Sequence, residues 1–149
     1  MYYEVKESRA NYEKKKNEEG RSVGHGQFFI QLNVMALQGA VYIPTTIASG
    51  KKPTGFVYQI EGTAEGLIAT TDISCKGEGI VQVTLGTLVY TKIPQGKTAT
   101  FKIVVDMQGK VNKTYSIVIN RINYKLDPSE ARYKKFDVDI ASKALKFKN

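Results

Sequence analysis

The stretch Gln27–Leu37, QFFIQLNVMAL, decides the fold of this chain of 149 residues. Every second side chain in it is apolar: Phe28, Ile30, Leu32, Val34 and Ala36. Successive side chains of a β-strand point to opposite faces of the sheet, so a period of two predicts a strand with one buried face. The polar Gln31 and Asn33 fall on the other face.

The same period recurs through the rest of the chain, separated by turn signals such as KGEG (76–79) and PQG (94–96). The predicted inward sets are Phe56, Tyr58 and Ile60; Val81, Val83 and Leu85; Ala99, Phe101, Ile103 and Val105; Tyr115, Ile117 and Ile119; and Phe136, Val138 and Ile140. Short strands at this spacing, with no helical period between them, predict an all-β antiparallel sandwich of about 7–9 strands.

Residues 1–21, MYYEVKESRANYEKKKNEEGR, differ from this pattern because about half of them are charged. Tyr2, Val5 and Tyr12 would share one face of a helix, so we expect a charged N-terminal helix. Glycines follow at 22–26, SVGHG, which predicts a hinge. The expected organisation is therefore a helical arm at 1–21, a glycine-rich hinge at 22–26 and a β-sandwich domain at 27–149.

The chain carries a formal net charge of +8, and basic residues are frequent in its C-terminal third. A candidate surface for an anionic partner comprises Arg121, Lys125, Arg132, Lys134, Lys135, Lys143, Lys146 and Lys148. Such a surface suits nucleic acid, anionic lipid or an anionic wall polymer. The competing interpretation, which we favour, is that Phe136 packs inward while the adjacent lysines guard an edge strand. Nucleic acid is therefore not the partner we expect.

Residues with catalytic potential are few and isolated. His25 lies between two glycines without a cysteine or carboxylate at metal-ligand spacing, which predicts a solvent-exposed linker histidine. Cys75 has no second cysteine with which to form an intrachain disulfide. We therefore predict a non-enzymatic chain with no catalytic residue, no cofactor and no metal site.

Four segments resemble a known class of module: ALQGAVYIPTT (36–46), TGFVYQIEG (54–62), IPQGKTATFKIVV (93–105) and TYSIVINRINY (114–124). In this order they are similar to Ig-like β-sandwich modules of bacterial surface proteins, notably from small uncultured lineages. The resemblance covers roughly residues 27–125 and lies in turns and core faces. It implies an Ig-like fold and a role as an extracellular spacer, adhesin or binding unit, and it carries no functional residues over.

These observations lead to three functional hypotheses. The first is a non-enzymatic cell-surface module with a cell-envelope polymer or protein as its partner. The second is a subunit of a filament or homo-oligomer that assembles through the helix at 1–21, and the third is a basic domain that binds nucleic acid or an anionic polymer. No segment has the roughly twenty apolar residues of a membrane span. An export signal is not visible, so we expect an extracellular location, or a cytoplasmic one if Met1 is the natural start.

Overall fold

A computed structural model describes residues 1–16, 20, 22–48, 54–62, 68–110 and 112–148. Within them the chain forms strands and no helix, which confirms the all-β prediction. The strands are β1 (Tyr2–Lys16), β2 (Ser22–Met35), β3 (Val41–Pro44), β4 (Ile47–Ala48), β5 (Phe56–Glu61), β6 (Ile68–Lys76), β7 (Val81–Leu85), β8 (Leu88–Ile93), β9 (Thr98–Gly109), β10 (Thr114–Tyr124), β11 (Lys134–Ala141) and β12 (Leu145–Lys146).

The strands form three sheets. Sheet 1 has the order β1-β2-β9-β6 and is antiparallel throughout. Sheet 2 has the order β11-β10-β5-β4, with β12 also paired to β10 and β4 parallel to β5. Sheet 3 has the order β3-β8-β7. It adjoins the end of β10, because Tyr42 and Lys125 each donate a backbone N–H to the other's carbonyl at 2.8 Å.

Sheets 1 and 2 enclose a common core, which is consistent with a β-sandwich. Phe56 of sheet 2 meets Phe101 of sheet 1 edge to face, with 4.9 Å between the ring centroids. The inward faces predicted for β2, β9 and β10 are buried throughout. Burying each large apolar side chain contributes about 1.5–3 kcal/mol before the entropy of ordering is subtracted.

One predicted inward face is wrong. Val81 and Leu85 of β7 are 50% and 48% exposed, although they share the period of two that is seen in the core strands. The reason is that β7 lies at the edge of sheet 3, and the face that it turns towards sheet 1 is the other one, on which Gln82 lines a cavity with Cys75. Periodicity identifies the side chains that share a face, but it does not tell whether a second sheet lies over that face.

The predicted N-terminal helix is also wrong, because residues 2–16 form β1, which pairs with β2 along its whole length. A β-bulge between Val5 and Glu7 changes the phase of the strand. Tyr3 and Val5 lie opposite inward residues of β2 before the bulge, and Ser8, Ala10 and Tyr12 do so after it. This phase change conceals the period of two. An isolated, highly charged helix has too little apolar surface to be stable in water, whereas β1 packs Tyr3, Ala10 and Tyr12 against the core.

The predicted hinge at 22–26 is a further correction, since these residues are the first part of β2. Gly24 and Gly26 are buried, and the ring of Phe147 lies against them. A Cβ atom built on Gly24 would lie 2.6 Å from Cδ2 of Phe147, and one built on Gly26 would lie 2.6 Å from its Cζ. The glycines therefore provide space for an aromatic ring, and they do not provide flexibility.

We call this arrangement the Phe147 seat. Its floor also includes Gly109 of β9, the register partner of Gly24, where an added Cβ would lie 2.7 Å from Cε2 of Phe147. Two tyrosine rings flank the seat, with centroids 5.1 Å (Tyr12) and 4.8 Å (Tyr115) from that of Phe147. The Tyr12 hydroxyl donates to the Lys148 carbonyl, so the seat fastens the C-terminal segment to β1.

The predicted turns at 76–79 and 94–96 are present, with Gly79 and Gly96 at φ of +74° and +77°. The Ser, Gly and Pro content of residues 45–55 is typical of a loop. The described part of this segment contains the short strand β4, and residues 49–53 lie outside the described part. Among the described residues, no helix has the length and apolar character needed to cross a membrane.

Candidate functional site

Lys125 does not belong to the surface on which we placed it. Only 7% of the residue is exposed, and its Nζ donates to the Tyr90 hydroxyl at 3.3 Å. The same Nζ lies 4.7 Å from the centroid of the Tyr133 ring. Two phenol rings thus provide the ammonium group with a hydrogen bond and cation–π contacts in place of water. Its position at the end of β10, paired to Tyr42 of β3, explains the burial.

Lys125, Tyr90 and Tyr133 form a polar cluster between sheet 3 and the loop after β10. The two hydroxyl oxygens are 3.5 Å apart. Burial is the main cause that raises the pKa of Tyr133 well above its usual value. The hydrogen bond with Tyr90 and the electrostatic effect of Tyr90 raise this pKa further. The phenol therefore stays protonated at neutral pH. Such a cluster can hold sheet 3 against sheet 2 while satisfying its own polar groups.

Arg121 is close to an acidic partner. It is the register partner of Asp137, and its Nε lies 3.8 Å from Oδ1 of that residue. Both side chains are substantially exposed, so the pair contributes little stability, on the order of 1 kcal/mol or less. It does place a negative charge beside Arg121, which weakens the attraction of Arg121 for an anionic partner.

The remaining basic residues are exposed but do not form one patch. Lys134 and Lys135 pair with Tyr124 and Asn123, near the end of β10. Lys146 pairs with Thr114, where β10 begins. At about 3.3 Å per residue these two positions are roughly 30 Å apart. Arg132 precedes the first group, and Lys143 and Lys148 flank the second.

The first of these groups supports the interpretation of a guarded edge. Lys134 and Lys135 begin β11, which is the terminal strand of sheet 2. Phe136 is half-buried and packs edge to face on Tyr3, with 6.0 Å between ring centroids. Exposed charge on an edge strand discourages unwanted pairing with other chains.

His25 lies in β2 and lines a polar groove on the outer face of sheet 1, so it is not a linker residue. The groove has a volume of about 410 Å³ and is lined by Asn11, Tyr12, Glu13, His25, Gly26, Gln27 and Asp106. The Gln27 amide donates to Oδ1 of Asp106 at 3.0 Å. Among the described residues, no group of three His, Cys, Asp or Glu side chains could hold a metal ion.

Sequence reasoning missed this groove because it requires β1 to be a strand. Glu13 stands opposite His25, and Asn11 stands opposite Gln27, only in the register of the β1–β2 pair. The alternation of polar residues in NYE (11–13) and HGQ (25–27) was the available signal. The groove offers hydrogen-bonding groups on a rigid sheet and could hold a small polar ligand.

Cys75 lines a second cavity of about 270 Å³ between β6 and sheet 3, together with Gln82 and Thr91. Burial raises the pKa of the Cys75 thiol to about 11. A thiol with that pKa is protonated near neutral pH, and the thiolate is the nucleophilic form. The arrangement therefore favours an inert half-buried cysteine.

The β7–β8 hairpin presents a different kind of surface. Among the described residues β7 pairs only with β8, so its other backbone edge is open. Val81 and Leu85 of β7 are large apolar side chains that are exposed. We call the outer backbone edge of β7, with these side chains, the open edge. Open apolar edges are sites where further strands can be added.

Comparison with known proteins adds no relative, since no family model, no curated protein and no solved structure matches this chain.

Proposed function

We propose that the chain is a non-enzymatic Ig-like module of a cell-surface protein, acting as a structural spacer and binding unit. The observation that carries this proposal is the position of the two ends of the described chain. Tyr2 pairs with Met35, and Met35 in turn pairs with Thr98, at one end of sheet 1. Phe147 lies beside Tyr12 and Gly24, at the opposite end.

The ten residue-to-residue steps from Tyr2 to Tyr12 span about 33 Å at the usual rise of a strand. A module that the chain enters at one end and leaves at the other extends a string of domains by its full length. This is the geometry that a spacer needs, because its neighbours are held apart rather than brought side by side.

The arrangement of β1 also suits a chain under tension. Force applied at Met1 and at Phe147 would act along the axis of β1, while its hydrogen bonds to β2 run perpendicular to that axis. Many bonds then share the load at the same time. The C-terminal end depends on the Phe147 seat and on the short β12.

The chemistry of the cavities also favours binding over catalysis. In the outer groove Gln27 already donates to Asp106, and the Cys75 thiol is protonated. Such groups can recognise a ligand through hydrogen bonds, but neither is activated for reaction.

Single-molecule force spectroscopy tests the spacer role. In a Cys75→Ser background, handles at Met1 and Lys148 should give a higher unfolding force than handles at Met1 and Leu37. The second pair lies at one end of β1 and β2 and peels their hydrogen bonds one at a time. Equal forces in the two geometries, or a lower force from end to end, would contradict a load-bearing role.

The location requires its own test. Antibodies against the folded domain should label intact cells of the natural source. Labelling only after the cells are permeabilised would contradict a location on the cell surface. It would not affect the conclusion from force spectroscopy.

A second candidate, binding of an anionic polymer, rests on the exposed neighbours Arg132, Lys134 and Lys135. Binding through them should weaken steeply with salt. The variant Lys134→Glu/Lys135→Glu should abolish it, whereas Lys146→Glu/Lys148→Glu, with the same change of charge at the other end, should have a smaller effect. Equal losses in both variants would indicate attraction to net charge without a defined site.

A further inference from the structure

The open edge of β7 carries no charged side chain. Residues 80–91, IVQVTLGTLVYT, contain no charged side chain. The terminal strands β1, β6 and β11 carry charge, for example Glu4, Asp72 and Lys134. The terminal strands β3 and β4 are also uncharged, but they have only four and two residues, and β3 is paired with Lys125 through Tyr42. Charged side chains protect a strand edge from pairing with other chains. The edge of β7 lacks that protection and is also apolar.

Exposed apolar side chains are concentrated at the same place. Val81 and Leu85 are 50% and 48% exposed and lie on one face of β7, whereas Val89, which is 38% exposed, pairs with Thr84 and lies on the opposite face. Val83, between the first two on the same face, is half-buried. Isolated exposed apolar residues are ordinary on protein surfaces, but a contiguous group marks a contact surface.

The sequence of β7 is self-complementary in the antiparallel sense. In VQVTL (81–85) the central residue is Val83, flanked on each side by a polar residue and then by an apolar one. Two copies related by a two-fold axis would place Val83 opposite Val83 and Gln82 opposite Thr84. Val81 would then face Leu85 of the second copy. Every apolar side chain would meet an apolar one, as cross-strand pairing favours.

We propose that a second copy of this chain docks on the open edge by antiparallel pairing of β7 with β7, which joins the two copies of sheet 3 into one continuous sheet. Each copy carries a net charge of +8, so most of their surfaces repel one another. Because residues 80–91 carry no charge, two copies can approach there without placing like charges opposite each other. This contact uses a different strand from the N-terminal segment considered above.

The extent of the contact sets its strength. A pair of five-residue strands, with their flanking side chains, buries less than the roughly 1,200 Å² typical of stable complexes. We therefore expect a dimer that forms reversibly as the protein concentration rises through the micromolar to millimolar range. At a cell surface, the location proposed above, tethered copies have a higher effective concentration than free copies in solution.

Disulfide trapping tests the register. In a Cys75→Ser background, Val83→Cys should form a covalent dimer under mild oxidation, because directly opposed residues of antiparallel strands have Cα atoms about 4.5–5.5 Å apart. Thr70→Cys, an exposed position on the edge strand β6, is the matched control and should stay monomeric. A mixture of Gln82→Cys and Thr84→Cys should cross-link across the two variants, and each variant alone should do so much less. Equal cross-linking at positions 70 and 83 would overturn the proposal.

Sedimentation at increasing concentration tests the contact without cysteines. Val83→Lys places two lysines opposite each other and should weaken the dimer by at least about tenfold, whereas Thr70→Lys, with the same added charge, should not. If Val83→Lys does not fold, the exposed pair Gln82→Lys/Thr84→Lys makes the same test. Unchanged association in these variants, or a native chain that stays monomeric at millimolar concentration, would refute β7 pairing.

Discussion

At the scale of single residues, the Phe147 seat requires glycine because a side chain there would occupy the space that the ring of Phe147 fills. Gly26→Ala should destabilise the fold by about 1–3 kcal/mol, because its methyl group would overlap the ring of Phe147, which is packed on all sides. Denaturant unfolding monitored by circular dichroism measures this loss.

A second variant, Phe147→Ala, tests whether the ring of Phe147 causes the loss of stability in Gly26→Ala. Phe147→Ala alone should cost about 3–5 kcal/mol, as is typical of a buried phenylalanine. In that background Gly26→Ala should cost clearly less than it does in the native chain, since the two changes remove the same contact. Full additivity of the two losses would mean that the seat does not explain the glycine.

The raised pKa of Cys75 predicts how the stability of the fold depends on pH. Its folded pKa of about 11 lies above the ordinary 9.0, so the contribution of this thiol to stability is complete below pH 9 and is lost as pH rises towards 11. At pH 8 the native thiol should react with iodoacetamide roughly a hundredfold more slowly than the thiol of the urea-unfolded chain. Comparable rates in the two states would mean that the thiol is not desolvated.

At the scale of elements, β1 can be distinguished from a helix by two tyrosines. Tyr12→Ala should cost about 2–4 kcal/mol, because Tyr12 packs on Phe147 and donates to the Lys148 carbonyl. Tyr2→Ala, at a position that is 55% exposed, should change stability by less than about 0.5 kcal/mol. Urea unfolding of both variants measures the difference, and similar losses would contradict the strand.

The sequence predicted the strands that keep a single phase, such as β2, β9 and β10. It did not predict β1, since the bulge after Val5 shifts the inward face from odd to even positions. The hinge was wrong for a related reason. SVGHG indicates flexibility when only its neighbours are considered, and the residue that occupies the glycine floor lies in the C-terminal segment.

The candidate site was predicted only in part for the same physical reason. The exposure of Lys134 and Lys135 and the partial burial of Phe136 follow from the alternation within one strand, and the guarding of this edge by the lysines stays a prediction. The burial of Lys125 and the polar groove around His25 depend on which strands meet, which local pattern does not determine. β7 shows the converse, a regular period without a covering sheet.

At the scale of the whole molecule, β1 and the C-terminal segment belong to one core rather than to a mobile arm. Urea unfolding should therefore be a single transition, with coincident midpoints by far-ultraviolet circular dichroism and by tyrosine fluorescence. The nine tyrosines, with no tryptophan present, report on both halves of the chain. Hydrogen exchange gives the opposing outcome. If the amides of β1 and β2 exchange in an earlier transition while the amides of the other strands stay protected, the chain has the two-part organisation predicted from its sequence.

The Phe147 seat also bears on when the protein can fold. The hydroxyl of Tyr12 and the carbonyl of Lys148 that it contacts are 136 residues apart in the chain, so this contact cannot form on a nascent chain that does not yet include Lys148. Until then the glycine floor stays uncovered and one end of the interior is open to water. Closing so long a loop is slow compared with forming the β1–β2 hairpin. The hairpin should therefore form early in biosynthesis, and the interior should close only after Phe147 is available.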